Sequence, residues 1–575
     1  MAKSELKPLH RLGLCFSGGG YRATFYGLGV LSILNKIQYR DQSMLDAVKS
    51  VSSVSGGTLL AAAYTRAVQQ DDYSFEKFYQ KMYETFKPEN DRLMERATAK
   101  LKDDSVWEKH SYKKRSIINA FALCYQEMDV YKGTLDMFDS DRIKRFHTVC
   151  FNATDFSFGL TFRFQNNGDF GNSPLFKKHQ SQINALKGQI EIGDAVASSS
   201  CFPIGFAPII FPDDFIKDHN KQAYQELKSF EAFKNGVGLM DGGVADNQGI
   251  GSMVLADKRK DGRLDLILVN DVGGNQMPPW EATPENDDKN GVSLTDAISN
   301  ALNWLKVKVM YWLPGVLAIL MMVLNNMEVF GDRAYSSIYI VSSVVLGLSL
   351  LATLLAAAAS ILKNSYLNKI SDLFKRSVPK PIADDILQLK NLKVSVIKRM
   401  LGDRLSSGFT MINYVFMNQI RRLNYDLLYA SKNLKNRRAT AMIYELNGEN
   451  KSYTRNDDDP TSIAPPSELL QNVALIASQT ATTLWWSEED IKVHRMDKLI
   501  ACGQFTVCYN LLKYVIDLQK GKEDQSNIDK LVRGSVLEVA SEYDLFNLKR
   551  VEEELRELWS KFNEDPMWMV GEYER

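Results

Sequence analysis

Ser53-Val54-Ser55-Gly56-Gly57 stands between an apolar run that reads as a strand and a run of small and apolar residues, Thr58-Leu59-Leu60-Ala61-Ala62-Ala63, that reads as a helix. A serine raised on a tight strand-to-helix turn needs small residues two before and two after it, because strand and helix pack closely while Oγ stays exposed. Ser55 has Ser53 and Gly57 in those places, whereas Ser53 would have Val51 and Ser55. Ser55 is therefore the candidate nucleophile, in a G-x-S-x-G pattern whose first glycine is replaced by Ser53. Gly18-Gly19-Gly20 lies one strand–helix unit upstream, so in a parallel sheet its loop emerges at the same edge. Its backbone N–H groups could face a developing oxyanion, an arrangement worth ~10²–10³ in rate per donor. Arg22 follows, where a cation could fix the loop or meet a phosphate.

A serine needs a base. The six histidines are His10, His110, His147, His179, His219 and His494. Serine–histidine–acid hydrolases with this elbow place the histidine after the acid, which nominates His494, but its segment EEDIKVHRMDK reads as a solvated, charged helix. Asp241 ends an apolar strand and is followed by Gly242-Gly243, which allow close backbone approach. A carboxylate held beside the serine hydroxyl can take its proton directly. The cysteines, Cys15, Cys124, Cys150, Cys201, Cys502 and Cys508, show no CxxC pair or zinc-ligand spacing and read as reduced, buried thiols.

The elements that must hold these residues follow from periodicity. Leu12–Phe16 reads as a strand, the glycines as a turn, and Tyr21 to about Ile37 as a helix burying Leu28, Val30, Leu31 and Leu34. Ala47–Val54 begins a second such unit, and this order argues for a parallel α/β sheet. Residues 71–141 read as a helical insertion, with a cap over the site as one expectation. Strands return over Thr148–Phe164 with a turn at Gly159, then a helix near Ile192–Ser199, and strands at Gly236–Met240 and Leu264–Val269. A long helical stretch to about Leu434, a strand at Ala439–Glu445 and a Pro-rich break at Asp459–Pro466 follow. Further helices run to the end, and the last, Val551–Phe562, is so charged that it reads as a solvated surface helix.

Two stretches without formal charge, Val309–Met327 and Ala334–Leu362, are long enough to cross a ~30 Å hydrocarbon core, which takes about 20 apolar residues. The short link Glu328–Arg333 would make them an antiparallel hairpin. Lys306, Lys308, Lys363 and Lys369 flank its base, whereas Glu328, Asp332 and Arg333 mark its tip, so the positive-inside rule puts both ends in the cytoplasm. The N-terminus, without an apolar run of signal-peptide length before the glycines, is expected there too. The competing reading is a hairpin buried in a soluble core, but no polar face interrupts the second stretch.

The 575 residues suggest two to four domains. Lys+Arg 70 against Asp+Glu 70 removes the electrostatic reason to expect nucleic acid as a partner. A hydrophobic content of 45% excludes a disordered chain.

Gly18-Gly19-Gly20-Tyr21-Arg22, the elbow at Ser55, Ala197-Ser198-Ser199-Ser200-Cys201-Phe202-Pro203 and Asp241-Gly242-Gly243 occur in an order that resembles the patatin-like phospholipases. The resemblance implies Ser55 as nucleophile, Asp241 as base, Gly18, Gly19 and Gly20 as oxyanion hole, and a three-layer α/β/α sandwich that hydrolyses lipid acyl esters without metal or cofactor. It covers about residues 10–275, with looser similarity over Ala474–Leu512. Ser53 in place of the elbow glycine and the hairpin are its departures. The organisation expected is a catalytic domain over 1–300 carrying the 71–141 insertion, a transmembrane hairpin over 301–365, a helical continuation of the catalytic domain over 366–520, and C-terminal helices over 521–575. The whole reads as a bacterial, two-pass inner-membrane phospholipase A-type or lysophospholipase enzyme. Its active site would lie in the cytoplasm, membrane phospholipid would be its substrate, and Arg22 would be a substrate contact. Two rivals stand beside it. One is a catalytically inactive membrane scaffold with the same shell. The other is a dinucleotide-binding module using Gly18-x-Gly20-x-x-Ala23 with Asp41 or Asp46 on the ribose, which leaves Ser55 and Asp241 without a task.

Overall fold

A computed structural model describes residues 8–574 except 140, 173–175, 204, 275–279, 282–291, 294–295, 297–307, 328, 330–336, 378–392, 450–462 and 524–541. The apolar run Leu12–Phe16 (β1) is buried throughout, as are Val48–Val54 (β2) apart from Lys49, Thr148–Asp155 (β3) and Leu266–Asp271 (β7). Strands with no exposed face must be covered on both sides, and that requirement layers helices over each face of the sheet. With Leu160–Gln165 (β4), Ile209–Phe211 (β5), Val237–Asp241 (β6) and Arg438–Met442 (β8), they form one eight-stranded sheet in the order β8-β7-β1-β2-β3-β6-β5, with β4 paired to β3.

The first five strands of that order run parallel. Beyond β3 the sheet is antiparallel, a departure from the expected all-parallel sheet. The cause is local: Phe156–Gly159 turns β3 straight back into β4, and so short a connection can join only antiparallel strands. The register of β3 explains how distant parts of the chain meet. Val54 at the end of β2 pairs with Asn152, and Asp241 at the end of β6 pairs with Ala153. Since β4 pairs with the same β3 residues as each of them, β2 and β6 share the other edge of β3 and abut end to end. Position 55 leaves the sheet where position 241 arrives.

Helix α1 (Gly20–Lys36) buries every residue from Gly20 to Leu34 except Arg22. It lies between α2 (Gly56–Val68) and a long C-terminal helix, Arg495–Glu523, close enough that a side chain at Gly29 would strike the Ile500 carbonyl and one at Gly503 the Tyr26 carbonyl. That C-terminal helix is long and apolar enough to cross a membrane, but 94% of its most apolar window is buried, so it is a core helix. The 71–141 segment forms helices at Phe75–Phe86, Leu93–Lys102, Asp104–Lys109 and Ile117–Glu127. Their buried side chains, Phe78, Met82, Phe86 and Phe121 among them, join the main core. The helix Glu542–Glu564 also departs from expectation. It buries Leu548, Val551, Leu555, Leu558, Trp559 and Phe562, an apolar stripe at helical spacing, and its charges occupy the opposite face.

The chain divides into two units, one of Met1–Met277 with Asn413–Arg575 and one of Pro278–Ile412. In the second, helices Val309–Asn326 and Ser337–Ser377 lie side by side, with Gly315 N–H donating to Ser349 Oγ at 3.1 Å. Their most apolar windows are only 17% and 11% buried. The charged link Glu328–Arg333 lies, apart from Val329, outside the described residues, as do Lys306 and the first half of the Pro-rich break.

Candidate functional site

Ser55 sits between β2 and α2 at φ 49° and ψ −122°, a conformation that costs a non-glycine residue about 1–3 kcal/mol unless its surroundings impose it. They do. Its N–H donates to Ser199 Oγ at 2.9 Å, and Ser199 Oγ donates to the Asn152 carbonyl at 2.6 Å. Thr58 Oγ1 lies 2.8 Å from Ser199 Oγ and 3.0 Å from Ser53 Oγ. The hydroxyl that replaces the elbow glycine is thus satisfied within the turn. At Gly57 a Cβ would lie 2.6 Å from the Ser17 carbonyl, and at Gly56 it would collide with the Gly20 carbonyl, so both glycines are required by close approach.

Asp241 faces Ser55 as the register dictates. Its N–H donates to the Cys201 carbonyl at 2.8 Å, its carbonyl accepts from Thr154 Oγ1 at 2.8 Å, and its Oδ1 accepts the Gly243 N–H at 2.7 Å. The Ser55 side chain lies close enough to the carboxyl to lower its pKa. Burial pushes the Asp241 pKa up to about 6, against the lowering effect of the Ser55 hydroxyl and of the Gly243 N–H hydrogen bond. A carboxylate so placed is ionised at neutral pH and basic enough to accept a proton. Ser55 is 8% exposed and Asp241 5%.

The glycine loop packs directly on the pair. A Cβ at Gly18 would lie 2.5 Å from Asn247 Oδ1 and 3.1 Å from Ser55 Cβ. The Gly18 N–H is taken by the Asn247 carbonyl at 2.9 Å, which removes it from the expected set of oxyanion donors. Among the described residues, neither the Gly19 N–H nor the Gly20 N–H has a hydrogen-bond partner. Arg22 serves the first of the two roles open to it. Its Nη1 donates to the carbonyls of Thr480 at 3.0 Å and Ser478 at 3.3 Å, where helix Glu468–Ser478 ends, and so it ties that helix to the loop. Burial lowers its pKa to about 10. His494 is exposed, whereas Ser55 and Asp241 are buried, and no hydrogen bond among the described residues joins it to either.

Several residues of the site escaped sequence reasoning. Ser199 holds the Ser55 N–H through its side chain and accepts the Gly242 N–H at 3.2 Å through its carbonyl, joining the segments that carry Ser55 and Asp241. The Ser-Ser-Ser-Cys run was visible, but nothing in it singles out one hydroxyl. Asn247 wedges its Oδ1 between Gly18 and Gly243, and Met417 Cε lies 2.9 Å from where a Gly243 Cβ would be. The Thr482 and Thr483 carbonyls cover Gly20, and Thr483 accepts the Tyr21 N–H at 2.8 Å. These contacts enclose the loop. Among the described residues, no group of three or more His, Cys, Asp or Glu side chains could hold a metal.

A mixed α/β sheet flanked by helices, with a strained serine and a buried carboxylate meeting at the carboxyl edge of β2, defines the class of domain. Residues 14–254 match the family model described as patatin-like phospholipase, and this part of the chain belongs to that family. At family level it is a lipid hydrolase domain. No curated protein matches the chain.

Proposed function

We propose that the protein is a phospholipase A-type acyl ester hydrolase in which Ser55 is the nucleophile and Asp241 its base. The observation that carries this reading is a serine forced into an elbow at the end of β2, set by the register of β3 beside a buried carboxyl whose pKa is pushed up to about 6. Ser55 Oγ attacks the ester carbonyl as Asp241 takes the hydroxyl proton. The oxyanion that forms is met by the N–H groups of Gly19 and Gly20, with Gly18 shaping the loop. The alcohol leaves with a proton returned by Asp241, and water, deprotonated by the same carboxylate, hydrolyses the acyl-enzyme. No step calls on a histidine or a metal.

The helices Val309–Asn326 and Ser337–Ala357, apolar and little buried within the protein, would span a bilayer as a hairpin. Their cationic flanks favour a cytoplasmic active site, in a bacterial inner membrane by this reading. Tethering raises the local concentration of an insoluble substrate without adding any contact. The test is fatty-acid release from phospholipid by the full chain. It should disappear in Ser55→Ala and in Asp241→Asn with both variants folded, and an inert wild type would return the scaffold reading. Carbonate extraction of membranes should leave the wild type in the pellet and release a variant lacking 309–357.

A further inference from the structure

Strand β3 does not stop at the level of the Ser55–Asp241 pair. Ala153 pairs with Asp241, and the strand continues through Thr154 and Asp155 before Phe156-Ser157-Phe158-Gly159 turns it into β4. At about 3.3 Å per residue, the turn begins about 10 Å beyond Ala153, on the edge of the sheet to which Ser55 is presented. Phe156 is 64% exposed and Phe158 58%. Phe202, next to the carbonyl that accepts the Asp241 N–H, is 38% exposed. Phe156 Cβ and Pro208 Cβ lie 3.8 and 3.3 Å from where a Gly238 Cβ would be, which links the turn to the segment that follows Phe202.

The turn is rigid and built from within. Asp155 is buried, and its Oδ1 accepts the N–H groups of Ser157 at 2.8 Å and Phe158 at 3.1 Å. Asn172 donates to the other oxygen, and Gly159 supplies a φ of +65°. The one ionisable side chain of the turn is thus folded inward while two phenyl rings face solvent. Preorganisation of this kind lowers the entropy lost on binding.

We propose that this turn inserts into the lipid surface, with Phe156 and Phe158 entering among the acyl chains and bringing the mouth of the site down to the ester bonds. The inference rests on the lipid-hydrolase reading and adds to it the element that meets the bilayer. A convex tip carrying two rings is far smaller than the ~800 Å² per partner of a stable protein interface, whereas a bilayer accepts isolated protruding apolar groups. The same chain carries two apolar helices whose windows are 17% and 11% buried, so a lipid surface is the partner its chemistry provides for.

The test uses the full-length chain reconstituted in vesicles of phosphatidylethanolamine and phosphatidylglycerol. The native cysteines are all buried, so Phe158→Cys offers one accessible thiol for an environment-sensitive fluorophore, with Lys260→Cys at the opposite edge of the sheet as reference. The label at 158 should shift to the blue and be quenched by doxyl-labelled lipid, and the label at 260 should do neither. Phe156→Ser with Phe158→Ser should lower vesicle hydrolysis at least about tenfold. Turnover of the soluble ester p-nitrophenyl butyrate should stay within about twofold. A label at 158 that behaves like the one at 260, a double variant equal to wild type on vesicles, or an equal loss on both substrates overturns the inference. A wild type inert on both substrates refutes the hydrolase reading instead, and the fluorophore then decides insertion by itself.

Discussion

Replacing Asp241 by asparagine should abolish hydrolysis and at the same time stabilise the fold, and the size of the gain follows from the burial of the carboxyl. Its pKa of about 6 in the folded chain, against 3.8 for a free carboxyl, means that folded protein holds the proton more tightly than unfolded protein. Stability contributed by the protonated form is complete below pH ~4 and lost as pH rises through about 6. The loss comes to about 3 kcal/mol, since one pKa unit corresponds to about 1.4 kcal/mol. Asparagine keeps an oxygen to accept the Gly243 N–H and carries no charge to desolvate, so it escapes the loss. The variant should match wild type near pH 4 and exceed it by about 3 kcal/mol at pH 7.5. For a folded unit of roughly 440 residues this is a rise in Tm of about 3 °C. The assay is thermal unfolding of both proteins in detergent at the two pH values, where all other titrating groups cancel in the difference. A variant that gains nothing between pH 4 and 7.5, or that is less stable at pH 7.5, would refute the argument that the carboxylate is held there against its own solvation.

Because the base must be ionised, kcat/KM should fall about tenfold per pH unit below about pH 6 and stay level above it; a midpoint near 7, as for histidine, would contradict the assignment. Ser55→Gly should remove activity but stabilise the chain by about 1–2 kcal/mol in denaturant titrations, since glycine adopts φ 49° without strain. Ser199→Ala leaves the Ser55 N–H buried without its acceptor, which should cost about 1–3 kcal/mol of stability and lower kcat more than it changes KM. An unchanged kcat would show that Ser199 does not hold the nucleophile.

The parts of the site that the sequence reveals are those where one backbone position demands one residue type. Small residues around Ser55, glycines at 18–20 and an aspartate closing an apolar strand are such demands, and Leu12–Phe16 and Ile192–Ser199 form as their patterns predict. What stays hidden is set by tertiary contact. Ser199 reaches the Ser55 N–H across 144 positions, and one hydroxyl in a run of three looks like the others. The antiparallel half of the sheet begins with the Phe156–Gly159 turn, but the pairing of β6 with the other edge of β3 is a tertiary contact that no single segment's pattern records. The helix Glu542–Glu564 misleads because its charges are conspicuous and its buried stripe is not, although Val551, Leu555, Leu558 and Phe562 carry that stripe in plain spacing.

Reaction of the full chain with a fluorophosphonate, followed by intact mass and peptide mapping, tests the nucleophile most directly. One equivalent should attach to Ser55, and attachment should slow markedly in Asp241→Asn while the protein remains folded. Modification at another residue, or continued ester hydrolysis in a chain that carries Ala at position 55, would contradict the account.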